Sequence, residues 1–368
     1  MRSDETAGTN YCRGFFSHRK NNVTLQYFKA MEILDNFSLK PYNSFGIEAR
    51  AGHFAAVTSV AELKEALEWA KKRELPSLVI GGGSNLLLTE HYRGLVIKNE
   101  LQGYEVLDAD DDFVFVKVSA GEVWHRFVLH CLEQEYAGVE NLALIPGCVG
   151  ASPMQNIGAY GVEIRDVFQE LTAVHRHEGY TRTFTHEACA FGYRESVFKN
   201  LYKDQFVITD VTYRLRKKPV FHIEYGAIRQ ELERLHVSTL SIQAIAQAVI
   251  NIRSSKLPDP AVIGNAGSFF KNPSVDKSKY VSLKAAYPDL VAYENEDGTM
   301  KLAAGWLIEH AGLKGYRKGD AGVHEKQALV LVNYGKATGA EILEVCDLVV
   351  RTVSERYGVE LHPEVNIL

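Results

Sequence analysis

Three residues of this chain have the types and neighbours to do chemistry. Ser268 lies in Gly264-Asn265-Ala266-Gly267-Ser268-Phe269-Phe270-Lys271-Asn272-Pro273, where small residues precede one hydroxyl, two aromatics, a cation and an amide. Arg194 lies in Phe191-Gly192-Tyr193-Arg194-Glu195-Ser196, and Glu364 in His362-Pro363-Glu364-Val365. Taken singly, each has a plain reading: Ser268 as a turn or cap hydroxyl, Arg194 and Glu364 as surface or paired structural charges. No Gly-x-Ser-x-Gly elbow surrounds Ser268, so a hydrolase nucleophile is not indicated. The thirteen histidines show no His-Glu-x-x-His or other metal spacing, and no metal site is expected.

More specific than any single side chain is the stretch from Leu144 to Gly161, which reads Ile145-Pro146-Gly147-Cys148-Val149-Gly150 and then Gln155-Asn156-Ile157-Gly158-Ala159-Tyr160-Gly161. It is too rich in glycine and proline for a helix and too apolar for a solvated linker. Its glycines permit left-handed angles or close approach to a ligand, and its amides and backbone N–H groups can hydrogen-bond an anion or a ring. A second such stretch, Gly81-Gly82-Gly83-Ser84-Asn85, leaves the apolar run Leu78-Val79-Ile80. No Gly-Lys-Ser/Thr follows, which excludes a nucleotide-triphosphate loop. Leu86 stands where Gly-x-Gly-x-x-Gly needs its last glycine, which argues against a Rossmann domain. The glycine turn alone has the plain reading of a tight turn. Paired with the second loop, it points to a large phosphorylated cofactor.

Elements must position these loops. Ser59 and Glu62 form a capping-box signature before Leu63, Ala66, Leu67 and Ala70 on one helical face, and Pro76 ends that unit ahead of the Leu78–Ile80 strand. Residues 113–118 read as a strand. Trp124, Phe127, Val128 and Cys131 share a helical face, and residues 206–213 alternate as a half-buried strand does. Ala328–Val332 reads as a strand, Thr338 with Glu341 caps a helix carrying Ile342, Val345, Cys346, Val349 and Val353, and Val359-Glu360-Leu361 returns extended. The fold class is α+β, with joints near Lys217-Lys218-Pro219 and in Ser254–Pro260.

Composition limits the remaining classes. The 368 residues are 46% hydrophobic and 24% charged, as in ordinary globular proteins with two or three subdomains. No apolar run approaches the roughly 18 residues of a membrane span, and no secretory signal opens the chain, so a cytoplasmic protein without membrane insertion is expected. A net charge of −5 gives no basic field, and no nucleic-acid partner is expected. Cys12, Cys131, Cys148, Cys189 and Cys346 are odd in number and contain no Cys-x-x-Cys pair, so reduced thiols are expected. Residues 1–30 carry five Lys/Arg against two acids and show no clear period. They read as an extension outside the fold, with an alternative translation start at Met31.

Together these segments resemble the UDP-N-acetylenolpyruvoylglucosamine reductase family of bacterial peptidoglycan precursor synthesis, in its type I subgroup, from about Asn36 onward. The marks, in order, are Ser38-Leu39-Lys40-Pro41-Tyr42-Asn43-Ser44-Phe45-Gly46, Gly82–Asn85, Asn141–Gly147, Asn156–Gly161, Phe191–Arg194, Lys256-Leu257-Pro258, Gly267–Pro273 and Pro363–Val365. The resemblance implies a two-subdomain FAD-binding fold of the vanillyl-alcohol-oxidase/PCMH type plus an α+β substrate-binding domain. The implied divisions are an extension over 1–31, FAD subdomains over 32–97 and 98–252, a substrate domain over 253–358 and a C-terminal return strand over 359–368 carrying Glu364. FAD is implied against Gly81, Gly82, Gly83, Ser84 and Asn85 and against Ile145, Pro146, Gly147, Asn156, Gly158, Tyr160 and Gly161. No histidine lies in either loop to attach it, so the FAD is noncovalent.

The implied reaction passes hydride from NADPH through FAD to the enolpyruvyl group of UDP-N-acetylglucosamine enolpyruvate, giving UDP-N-acetylmuramate. Negative charge then builds beside a carboxylate, which calls for cationic and hydrogen-bonding groups. Arg194 fits as a guanidinium. Glu364 fits if it is protonated in a desolvated site, which predicts a raised pKa. The resemblance makes Ser268 the proton donor and assigns Tyr225, Lys256, Asn272 and Tyr293 to the substrate. A monomer is expected. Two rival classes are an oxygen-using flavin oxidase of the same wider fold, to which the missing loop histidine is a counter-indication, and an inert nucleotide-sugar binder.

Overall fold

A computed structural model describes residues 31–368 of the chain. The extension expected over 1–31 lies outside the described residues apart from Met31, which packs against a core cluster with Ile33, Trp69 and Leu75.

The first layer is a four-stranded sheet in the order Leu34–Ser38, Arg50–Val57, Tyr92–Asn99, Ser77–Ile80. Its first pair is antiparallel and the other two are parallel. The helix Val60–Lys72 buries Leu63, Ala66, Leu67 and Ala70, the stripe that its spacing predicts. Ser59 accepts the N–H of Glu62 at 3.1 Å, but the Glu62 carboxylate reaches past Ser59 to the N–H and hydroxyl of Thr58, at 2.6 and 2.8 Å. The reciprocal half of the expected capping box is therefore made one residue upstream.

The second layer is a five-stranded antiparallel sheet in the order Thr181–Thr185, Phe168–His175, Phe206–Arg216, Phe113–Ser119, Tyr104–Ala109. The helix Trp124–Glu133 buries the expected Trp124, Phe127, Val128 and Cys131 in the same core as the helices Gly226–Arg234 and Ile242–Lys256. The half-buried alternation expected over 206–213 gives way to burial along most of the strand. Phe206, Ile208 and Val211 join the second core while Val207 joins the first layer's cluster, so both faces of the strand are covered.

The third region holds two small sheets. Gly264–Asn265, Leu331–Asn333, Ala321–Val323 and Arg317–Lys318 form one, and Ser274–Val275, Met300–Leu302 and Ala292–Glu294 the other. The helix Gly339–Tyr357 buries Ile342, Val345, Cys346, Val349 and Val353 and carries the full Thr338–Glu341 capping box. The strand expected over 328–332 begins only at Leu331, because residues 327–330 make a turn closed by Val330 N–H to Gln327 O at 3.1 Å. Val359-Glu360-Leu361 is not a strand. Val359 and Leu361 are buried in the core, and backbone pairing resumes at Pro363 with Phe270 and at Asn366–Ile367 with Leu86–Leu87. Glu364 thus sits between two pairing points rather than within a return strand.

One hydrophobic cluster unites the first layer and the third region. Leu39, Phe45, Phe54 and Leu87 pack with Phe269, Leu302, Val349 and Leu361. Cys131, Cys148, Cys189 and Cys346 are buried free thiols. Among the described residues no helix is long and apolar enough to cross a membrane.

Candidate active site

The Ser268 segment is sewn between two others by backbone hydrogen bonds. Phe269 N–H donates to Leu329 O at 2.7 Å, Glu364 N–H to Phe269 O at 2.8 Å, and Lys271 N–H to His362 O at 3.0 Å. These bonds lay the Ser268 segment alongside Glu364, with Phe269 opposite Glu364 and Ser268 itself exposed. Arg194 arrives on a tight hairpin in which Gly192 and Glu195 exchange backbone bonds of 3.0 and 3.2 Å. Its backbone is left-handed, φ 55°, an angle that only a constrained turn imposes on arginine. Its guanidinium donates to Gly158 O at 2.6 Å, and its Nε stands 3.4 Å from Glu364 Oε1. A Cβ at Gly158 would come within 2.8 Å of Glu163 Cγ, 3.0 Å of Val162 O and 3.1 Å of Arg194 Nη1, so the glycine leaves room for the paired strand Val162–Glu163 as well as for the guanidinium. Lys271 Nζ closes the ring of segments with a 2.7 Å ion pair to Glu195 Oε1.

Electrostatics at Glu364 oppose one another. Burial pushes its carboxyl up, while Arg194, Lys199 and Lys271 pull it down, and burial prevails. The raised pKa expected of Glu364 is therefore what its surroundings produce. Burial lowers the pKa of Lys199, and the Lys271 cation lowers it further. Three cationic side chains thus converge on one carboxyl biased toward its neutral form, an arrangement able to receive a substrate carboxylate and the negative charge that builds next to it.

The two glycine loops abut. A Cβ at Gly82 would come within 3.1 Å of Gly147 Cα, one at Gly81 within 3.1 Å of Cys148 Cβ, and one at Gly83 would sit 1.9 Å from Tyr42 O, with φ already +61°. Part of the glycine requirement is therefore loop-on-loop packing. The backbone N–H groups of Gly83, Ser84 and Asn85 donate to no described residue, and neither do those of Ile145 and Gly147. Two buried polar atoms on residues tied to these loops are also unpartnered among the described residues, Ser44 Oγ and Asn141 Oδ1. Ser44 N–H bonds Gly83 O at 3.0 Å, and Asn141 Nδ2 bonds Tyr160 O at 3.1 Å, so each belongs to one loop. Free N–H donors and orphaned acceptors fit a diphosphate and a polar ring system, the two ends of FAD.

Several predicted contacts have other duties. Asn156 is fully buried, and its side chain donates to Glu163 Oε2 at 2.9 Å and Gly192 O at 3.0 Å while accepting Arg165 N–H at 3.1 Å. It shapes the loop and has no side-chain atom left for a ligand. Asn85 Nδ2 ties its own loop to Gln155 Oε1 at 2.9 Å and to Glu364 O at 3.3 Å. Tyr160 meets Tyr225 edge-on at 5.4 Å, and Tyr225 and Tyr293 are about half exposed, at 51% and 53%. Lys256 ends the Ile242–Lys256 helix in an exposed position, and Asn272 Oδ1 accepts Ala304 N–H at 3.0 Å, capping a helix. Sequence reading passed over Lys199, Glu195, Arg253 and the Lys301 ammonium 4.6 Å above the Tyr193 ring. Lys271 and Glu195 stood inside quoted segments without a role given to them. Lys199 and Arg253 gave no signal, because their roles depend on partners distant in sequence.

Comparison with known proteins places this geometry. Residues 51–185 match the model of an FAD binding domain, and residues 259–368 match that of the UDP-N-acetylenolpyruvoylglucosamine reductase C-terminal domain. UDP-N-acetylenolpyruvoylglucosamine reductase of Flavobacterium johnsoniae is 51% identical over 92% of this chain and 100% of its own length. That of Pseudomonas aeruginosa is 50% identical over 92% of this chain and 99% of its own. The crystal structure of the reductase from Thermus caldophilus superposes with a TM-score of 0.63 at 26% identity, covering 92% of this chain and 98% of that one. The fold is thus a PCMH-type FAD-binding fold followed by the reductase C-terminal domain, and the chain belongs to the UDP-N-acetylenolpyruvoylglucosamine reductase family.

Proposed function

We propose that this chain is the NADPH-dependent, FAD-containing UDP-N-acetylmuramate dehydrogenase of peptidoglycan precursor synthesis, of the type I subgroup, working in the cytoplasm as a monomer. The observation that carries the assignment of its site is the convergence of Arg194, Glu364 and the Ser268 segment, beside two glycine loops with free N–H donors. The division into FAD subdomains 32–97 and 98–252, a substrate domain 253–358 and a terminal segment 359–368 belongs to the same proposal.

FAD held by the two glycine loops would supply the hydride transfer, from NADPH to the terminal carbon of the enolpyruvyl group. The chain's own residues bind, orient and protonate. Backbone N–H groups of Gly83 to Asn85 and of Ile145 and Gly147 hold the cofactor's diphosphate without needing cations. Arg194, already aimed by Gly158 O, grips the substrate carboxylate, and neutral Glu364 donates a hydrogen bond to the oxygen on which charge builds. Ser268 Oγ gives its proton to the carbon next to the carboxylate, and Lys271 and Lys199, whose charges act on Glu364, add positive charge to the site. Tyr225, Lys256, Asn272 and Tyr293 surround the nucleotide sugar, with Lys256 suited to its diphosphate.

Replacing Ser268 by Ala tests the roles. Flavin bleaching by NADPH should keep its rate, while reoxidation by UDP-N-acetylglucosamine enolpyruvate should slow by about 100-fold or more, the scale of a lost proton donor. Equal loss in both halves contradicts the assignment. The oxidase reading would instead require fast reoxidation by oxygen with the sugar nucleotide absent.

A further inference from the structure

Leu144 is the residue just before Ile145-Pro146-Gly147, and it is left-handed, φ 58°. A branched apolar side chain has no local reason to adopt this angle. Both of its backbone polar groups are taken by side chains from two different helices. Its N–H donates to His125 Nδ1 at 3.0 Å, and its carbonyl accepts Arg253 Nε at 3.3 Å. His125 is the second residue of the Trp124–Glu133 helix, whose first residue grips the same loop twice more. Trp124 N–H donates to Gly147 O at 3.0 Å, and Trp124 Nε1 to Leu142 O at 2.9 Å. Arg253 also lies beside the Tyr160 hydroxyl, so it touches both halves of the long glycine-rich stretch.

From this geometry we infer that His125 is a positioning residue for FAD: its Nδ1 lone pair holds the Leu144 peptide left-handed and so aims the N–H groups of Ile145 and Gly147 at the cofactor. The bond requires a neutral imidazole with its proton on Nε2, because a protonated Nδ1 would face the Leu144 N–H donor to donor. Burial and the Arg253 cation both hold His125 toward that neutral form. The inference rests on FAD occupying the loops.

Titration of FAD into flavin-stripped full-length protein, followed by flavin fluorescence quenching, tests it alongside the thermal midpoint of the stripped protein. His125→Leu fills similar space without an acceptor, and should weaken FAD binding about tenfold, the effect of one lost hydrogen bond to a strained peptide. His125→Asn places an amide oxygen near the Nδ1 position and should recover most of the affinity. Leu144→Gly adopts the left-handed angle without strain, so adding it to His125→Leu should restore FAD affinity by about threefold or more. His125→Leu binding FAD within about twofold of wild type, His125→Asn as weak as His125→Leu, or no recovery from Leu144→Gly would each overturn the inference. If His125→Leu does not fold, His125→Asn binding FAD about as tightly as wild type supports the inference, and a tenfold loss in that folded variant overturns it. Wild-type protein that takes up no FAD would overturn the flavin reading itself.

Discussion

Glu364 illustrates what a residue's surroundings decide. Its carboxyl is raised by burial despite three cations, one of them 3.4 Å away, so desolvation outweighs charge pairing at this position. A carboxyl with a raised folded pKa binds its proton more tightly folded than unfolded. It therefore favours folding at pH below the unfolded value, and that contribution is lost as pH rises through the folded pKa. Glu364→Gln, neutral at every pH, should gain thermal midpoint over wild type as pH rises from the ordinary carboxylate value through the raised folded pKa. A constant difference across that range would contradict the raised pKa. The substrate half-reaction of the wild type should slow over the same rise, since only neutral Glu364 donates, and the Gln variant should flatten that limb. The sequence allowed the raised pKa to be expected only after chemistry had given Glu364 a role. The full burial of Asn156 was not legible, because the groups it satisfies lie on segments 7 and 36 residues away.

At the level of elements, periodicity carried the reading where a helix or strand has one wet face. The helices Val60–Lys72 and Gly339–Tyr357 show their buried stripes and caps locally, and both were legible. The strand within Phe206–Arg216 was legible but its two-sided burial was not, and the stretch 359–361 was misread as a strand, because neighbours from other layers bury them. The glycine turns separate two kinds of constraint that look alike in sequence. Gly83→Ala drives a Cβ to 1.9 Å from Tyr42 O at φ +61°, and should destabilise the flavin-stripped protein by about 3 kcal/mol or more in denaturant unfolding. Gly161→Ala meets nothing within 4 Å at φ +84°, and should cost about 1 kcal/mol, the backbone term alone. Equal costs would mean that the close approach of Gly83 to Tyr42 is relieved by a small shift.

Across the whole molecule, segments spread from Ser44 to Glu364 are tied to one another, Ser44 to Gly83, Gly158 to Arg194, and Arg194 and Phe269 to Glu364. Their order was legible in the chain, but their meeting was not. It depends on Phe269 bonding Glu364 from 95 residues away, on Lys271 reaching Glu195, and on a single core joining Phe45 to Phe269 and Leu361. The fold thus makes the C-terminal segment part of the cofactor-binding half, through Asn366–Ile367 paired with Leu86–Leu87 directly after the glycine turn. The proposed enzyme performs two half-reactions, reduction of its flavin by NADPH and then transfer of the hydride to the sugar nucleotide. The most direct test is the visible spectrum of the purified protein under strict anaerobiosis, bleached with one equivalent of NADPH and then mixed with UDP-N-acetylglucosamine enolpyruvate. Rapid return of the oxidised flavin spectrum with formation of UDP-N-acetylmuramate is the predicted result; flavin that stays bleached until oxygen is admitted would contradict it.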